Sequence, residues 1–221
     1  MLLRPGRDDA TTICIGQASH AWISGQLARA WRDVPGPRAH VELAAEQHDI
    51  GWIDWDRAPQ RNPETGLPYA FTAVPDETRF AVWERAARRL ESQSLHAALL
   101  VSLHGTSLRF GLDQTALQDA WIARLGTDRD ALEPQRKLIL LWDALSLALC
   151  LRWDPFESDG YRLEHVGDEE FTLRPWPFAN DGPLALECEG RELHGTFEDE
   201  RSLHDALAAA PVVALRFTLR P

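Results

Sequence analysis

Leu138-Ile139-Leu140-Leu141-Trp142-Asp143-Ala144-Leu145-Ser146-Leu147-Ala148-Leu149-Cys150-Leu151 is the stretch on which the reading of the chain turns. It contains neither Gly nor Pro, and Asp143 and Ser146 are its only polar residues. An element apolar nearly all round belongs at the centre of a fold. At 14 residues it is too short to cross a bilayer, which takes roughly 20. The helix is expected to begin after Pro134 and to reach Arg152. A carboxylate inside it is costly unless paired, hydrogen-bonded or bound to a cation. Asp143 is therefore either a structural bridge to an Arg or to a neighbouring helix end, or a ligand.

Working outward from that helix, the preceding residues read as a short extended start followed, from Gln17, by helices. Gln17 to Asp33 places His20, Ile23, Leu27 and Trp31 on one stripe, and Pro35-Gly36-Pro37 terminates it. His40 to Trp52 aligns Val41, Ala45, His48 and Trp52. Asp76 to Glu91, Ser94 to Leu108 and Asp113 to Leu125 follow, with Ser94 suited to an N-cap. Asp54 to Pro75 lacks helical period, and loops of that length often cover a site. Its Trp55, Asp56, Tyr69 and Phe71 either roof a pocket or form a satellite core. After Asp154 the texture changes. Tyr161–Val166, Phe171–Phe178, Leu184–Leu193 and Val212–Leu219 read as strands, and Ser202 to Ala210 as a short helix. Pro175-Trp176-Pro177-Phe178 is expected to anchor this tail on the helices.

Composition narrows the function. Lys and Arg number 23 against 34 Asp and Glu, a net charge of -11, which disfavours nucleic acid and anionic membrane surfaces as partners. The three Cys are scattered without a C-x-x-C pair, so neither a disulfide framework nor a zinc knuckle is expected. Met1 to Asp9 lacks the apolar run of a secretory leader. A reduced, cytoplasmic protein acting on a small molecule is the expectation. Signals for serine hydrolases, NTPases and dinucleotide binding are absent.

Three helices carry a metal-ligating residue type where an apolar one is expected: His20, then His48 with Asp49, then Asp143. Adjacent residues inside a helix point about 100° apart. Near a helix end, with Gly51 allowing close approach, His48 and Asp49 can address one ion. Two imidazoles and two carboxylates suit Mn, Fe, Ni, Co or Zn with positions left for water and substrate.

In this order, His20, His48-Asp49 and Asp143 resemble the HD superfamily, whose signature is H…HD…D on consecutive helices; the likeness covers about residues 17–152. The chain looks more closely like a bacterial family of unknown function. That likeness is carried by Gln17-Ala18-Ser19-His20, His48-Asp49-Ile50-Gly51-Trp52, Thr65-Gly66-Leu67-Pro68, Leu99 to His104 and Pro175 to Phe178. The resemblance implies a mainly α fold, an HD-like helical bundle over residues 1–153 with a small β-rich subdomain over 154–221. Superfamily members with two metals add histidines between the HD pair and the last Asp. His96 and His104, separated by about 12 Å along one helix, do not both suit one centre, and one ion rather than two is expected. His104 resembles the mid-region histidine of the family.

Many phosphohydrolases of the superfamily read HD-x-G-K, where the Lys contacts a phosphate; here Trp52 stands at that position. Arg57, Arg61 and Arg109 are candidates to replace it, and Trp52, Asp56, Arg57 and Arg109 are the expected substrate contacts. The leading expectation is a metal-dependent hydrolase of a phosphoester, with Asp49 orienting water and His104 donating a proton. The alternatives are a mixed-valent di-iron oxygenase resembling myo-inositol oxygenase and a ligand-binding module without catalysis.

Overall fold

A computed structural model describes residues 1–108 and 111–221. The chain opens with two strands, β1 (Leu2–Pro5) and β2 (Thr11–Ile15), before the first helix, α1 (Gln17–Ala30). Helices α2 (Arg38–Gln47), α3 (Ile53–Arg57), α4 (Asp76–Leu90), α5 (Leu95–Ser107), α6 (Thr115–Leu125) and α7 (Arg129–Leu151) follow. Strands β3 (Phe156–Ser158), β4 (Tyr161–Gly167), β5 (Glu170–Arg174) and β6 (Leu184–His194), helix α8 (Glu200–Ala209) and strand β7 (Val212–Arg220) complete the order.

The seven strands form one sheet in the order β1-β2-β6-β7-β5-β4-β3, antiparallel except where β5 runs parallel to β7. The expectation of a mainly α, HD-like bundle with a small β-rich subdomain is corrected by this sheet. About 49% of the residues are helical and 22% are in strands. Thr11-Thr12-Ile13-Cys14-Ile15 is a β-branched run, the composition that suits a pleated, half-buried surface. It pairs with β6, Cys14 facing Arg191, so strands from both ends of the chain share one sheet.

Along β6, Leu186, Cys188 and Gly190 turn inward while Glu187, Glu189 and Arg191 face out, the alternation of a sheet covered on one side. The covering elements are α1, which packs on β6, and α7, which meets β1 and β3. On their far sides α1 touches α2, and α7 touches α2 and α5. Leu138–Leu151 is thus central, and Ile23, Leu27, Leu145 and Leu149 share one core with Leu186, Phe217 and Leu173.

Several boundaries moved for local reasons. Helix α7 begins at Arg129, ahead of Pro134, because the Asp128 side chain caps it by accepting from Ala131 N at 2.8 Å; Pro134 then removes only one helical bond in an early turn. Helix α1 stops at Ala30 because Trp31 turns extended and bridges to Phe178. Arg32 N donates to the Pro177 carbonyl at 3.0 Å, and Ala179 N to that of Ala30 at 3.2 Å. Phe178 is fully buried, edge-on to Trp31, and its burial contributes about 1.5–3 kcal/mol. This is how the Pro-Trp-Pro-Phe stretch fastens to the helices.

Candidate metal centre

Helix α1 carries His20 on its buried face, one turn after Gln17. The α1 N-terminus is capped from elsewhere in the fold, Asp56 Oδ2 accepting from Gln17 N at 2.5 Å. Helix α2 ends at His48, whose φ and ψ of -57° and -32° are still helical. Asp49, at -101° and 17°, has left the helix. That turn of the backbone brings two consecutive side chains to one point. It also requires Gly51, since a Cβ there would sit 2.3 Å from the Val82 carbonyl oxygen of α4. Helix α7 supplies Asp143 and, one turn on, Ser146.

These side chains converge in a buried cluster. Ligand atoms of His20, His48 and Asp143 lie within 4.8 Å of one another, an arrangement compatible with metal binding. His20 Nε2 is 2.8 Å from Asp49 Oδ2, and His48 Nε2 is 3.3 Å from Asp143 Oδ1 and 3.7 Å from Asp49 Oδ2. Among the described residues, the ion-pair partners of Asp49 and Asp143 are histidines alone. The alternative in which an Arg neutralises Asp143 therefore has no support there.

The hydrogen bonds on the far side of each ring decide what the near side presents. His48 Nδ1 lies 2.8 Å from the Ala45 carbonyl, which only accepts, so Nδ1 carries the proton. Nε2 of the neutral ring is then a bare lone pair, buried, aimed at two carboxylates and, among the described residues, without a hydrogen-bond partner. Asp49 Oδ1 likewise has no hydrogen-bond partner among the described residues. Lone pairs facing anions in a dry interior repel unless a cation lies between them. A proton is one such cation. Burial opposes charge on His48, but Asp49 and then Asp143 outweigh it and push the imidazole up to about 9. Burial also works against the Asp143 carboxylate, yet His48, His104 and His20 hold its carboxyl well below the usual range. A divalent ion meets the same demand with more charge, and the donor set of imidazole and carboxylate suits it. His20 fits the same pattern: its Nδ1 is 2.9 Å from Ser146 Oγ, whose own hydroxyl donates to the Asp143 carbonyl at 2.8 Å. A ligating histidine characteristically fixes its second nitrogen in this way.

His104, fully buried on α5, stands behind Asp143 with Nε2 3.5 Å from Oδ2. Among the described residues both its nitrogens lack hydrogen-bond partners, and burial pushes the ring down to about 4, which keeps it neutral. It is not among the residues that line the cavity at the centre. That cavity, of about 100 Å³, is bordered by Gln17, His20, Asp49, Trp52, Arg79 and Asp143, with Phe71 and Trp83 among its apolar walls.

Of the expected substrate contacts, Trp52 lines this cavity. Asp56 and Arg57 border a different, larger one of about 500 Å³ beside Cys14 and Arg191. Arg61 is tied to the Phe197 carbonyl, and Arg109 lies outside the described residues. His96 meets Gln135 at 2.6 Å instead of the centre. Trp55 and Tyr69 pack in a satellite core with Val74 and Val82, whereas Phe71 reaches the cavity. Arg79, Gln17 and Ser146 were missed. Arg79 stands on the stripe Arg79, Val82, Trp83, Ala86, Leu90 of α4, so the test that singles out His20 finds it too.

The model of a family described as "Protein of unknown function (DUF3891)" matches residues 1–195. The chain belongs to that family. No curated protein and no solved structure matches it. The match takes in all of His20, His48, Asp49, His104 and Asp143. No helix among the described residues is long and apolar enough to cross a membrane.

Proposed function

We propose that this protein is a metal-dependent hydrolase of a small phosphoester, holding one divalent transition-metal ion through His20, His48, Asp49 and Asp143. The observation that carries the reading is the forced tautomer of His48: its Nδ1 donates to the Ala45 carbonyl and its Nε2 faces Asp143 and Asp49. Such an ion, when bound, acidifies water and polarises a phosphoryl oxygen. The H…HD…D order supports phosphoester chemistry.

The chain's own residues do the rest. Asp49 borders the cavity, and its Oδ1 has no hydrogen-bond partner among the described residues, so it can accept a proton from water and orient it for attack. Ser146 and the Ala45 carbonyl hold the two imidazoles in the tautomer that leaves Nε2 available. Phe71, Trp83 and Leu147 keep bulk water from the reacting group. His104, neutral and set against Asp143 behind the cavity wall, supports that carboxylate or adds a nitrogen ligand.

Elemental analysis of natively purified protein tests the reading. One equivalent of Mn, Fe, Ni, Co or Zn per chain is expected, largely lost in Asp49→Ala and Asp143→Ala, with phosphoester turnover following metal content. A folded wild type with no affinity for any of these ions refutes it.

A further inference from the structure

The three histidines around Asp143 are not held alike. His20 has Ser146 Oγ behind its Nδ1 at 2.9 Å, and His48 has the Ala45 carbonyl behind its Nδ1 at 2.8 Å. Each ring therefore presents Nε2 to a carboxylate, 2.8 Å from Asp49 Oδ2 for His20 and 3.3 Å from Asp143 Oδ1 for His48. A ligating histidine characteristically has such support behind it. His104 has none. It is fully buried on α5, and among the described residues nothing hydrogen-bonds its Nδ1.

A neutral imidazole carries one N–H, and its surroundings decide which nitrogen holds the proton. In His48 the Ala45 carbonyl claims the proton for Nδ1, which leaves Nε2 in need of a cation. In His104 no described group competes at Nδ1, while Nε2 stands 3.5 Å from Asp143 Oδ2. A proton on Nε2 points at a carboxylate. A proton on Nδ1 would meet no described acceptor in a dry interior and would leave a lone pair facing an anion, which is costly. The separation is about half an ångström longer than an ordinary N–H···O bond, a gap that a small rotation of the ring closes.

The two oxygens of Asp143 thus face different groups. Oδ1 lies 3.3 Å from His48 Nε2 and 3.9 Å from His20 Nδ1, on the side of the supported rings. Oδ2 faces His104. Asp143 borders the small cavity and His104 does not.

We propose that His104 is a positioning residue and not a metal ligand: its Nε2–H holds Asp143 Oδ2 and so turns Oδ1 toward the ion. A second ion at His104 would need a bare Nε2, so the same proton limits the centre to one ion. This inference rests on the metal reading above and gives His104 a single role within it.

The tautomer is read directly by nitrogen NMR of protein labelled in its histidine rings, metal-free and loaded with Zn(II), the His104 signals being assigned by their loss in His104→Gln. Nε2–H is expected in both states. Zinc titrations of wild type, His104→Gln, His104→Asn and His104→Leu accompany it, with thermal denaturation in EDTA to show that each variant folds. One zinc per chain is expected throughout. His104→Leu should bind zinc about 10- to 100-fold more weakly. His104→Gln, whose amide nitrogen reaches the place of Nε2, should recover most of that loss, and the shorter His104→Asn should not. A role in packing alone does not produce this order. Should His104→Leu fail to fold, the Gln and Asn variants and the labelled wild type carry the comparison. A proton on Nδ1, a zinc-bound Nε2, two ions in wild type against one in His104→Gln, or equal affinity in all four proteins overturns the proposal and leaves the metal reading standing. Wild type that takes up no ion removes the metal reading; in that protein Nε2–H on His104 still supports its bond to Asp143, and Nδ1–H overturns it.

Discussion

Ser146→Ala is the sharpest probe of how the centre is built. Ser146 is fully buried, and its Oγ meets His20 Nδ1 at 2.9 Å, Ser24 Oγ at 3.0 Å and the Asp143 carbonyl at 2.8 Å. Removing the hydroxyl leaves Ser24 its second partner, the Trp142 carbonyl at 3.2 Å, and the Asp143 carbonyl its place in the helix. His20 Nδ1 alone loses its partner. An unsatisfied buried group costs about 1–3 kcal/mol. By an independent route, loss of the hydrogen bond behind a ligating histidine lowers metal affinity about 10- to 100-fold, or about 1.4–2.7 kcal/mol. The two figures agree, and Ser146→Ala should fall in that range. Competition with a chromophoric chelator measures the affinity, and thermal denaturation in EDTA reports whether the metal-free fold survives. Ser24→Ala, which does not touch His20, should leave affinity nearly unchanged. If Ser146→Ala binds metal as tightly as wild type, Ser146 does not orient His20 and the account of the tautomer is wrong.

The remaining expectations concern pH and packing. Because His48 is raised to about 9 in the metal-free protein, its contribution to metal-free stability is complete below the unfolded pKa of about 6.5. That contribution is lost as pH rises through about 9, while metal binding must displace the proton. The gap in melting temperature between metal-loaded and EDTA-treated protein should therefore widen from pH 6.5 to pH 9; a constant gap contradicts it. Binding near pH 7.5 should release about one proton, readable as a dependence of calorimetric heat on buffer ionisation enthalpy. Gly51→Ala puts a methyl group 2.3 Å from a backbone oxygen. It should destabilise the protein by about 1–3 kcal/mol and weaken metal binding by displacing Asp49; a melting temperature equal to wild type would show that the α4 backbone yields freely.

The cluster of His20, His48 and Asp143 was legible in the sequence because the physics that exposes it is local. A carboxylate between Trp142 and Ala144 in an apolar helix, or an imidazole on the stripe of α1, is anomalous without knowledge of neighbours. Gly51 was legible for the same reason. The strands of the tail were legible too; what could not be read was that they join the first strands of the chain in one sheet. Thr11–Ile15 is short, and its pairing with β6 spans about 180 residues of chain, a relation no local pattern encodes. The likeness to a helical superfamily then assigned the short extended start, with the rest of residues 1–153, to an expected bundle. Polar groups that serve the site from a distance, Ser146 and the capping carboxylate of Asp56, were visible as residues but not as partners, since their partners lie on other elements.

One feature of the sheet bears on how the protein comes to exist. β7 sits in the middle of the strand order, between β6 on one side and β5 on the other, yet it follows every other strand in the chain. Without β7 the sheet is two three-stranded fragments, β1-β2-β6 and β5-β4-β3, with no strand between them. Such non-local closure is slow and leaves open edges exposed to other chains in the meantime. Helices α1 and α7, which bear His20 and Asp143, rest on this sheet. Helix α7 meets β1 of one fragment and β3 of the other, and so spans the gap that β7 fills.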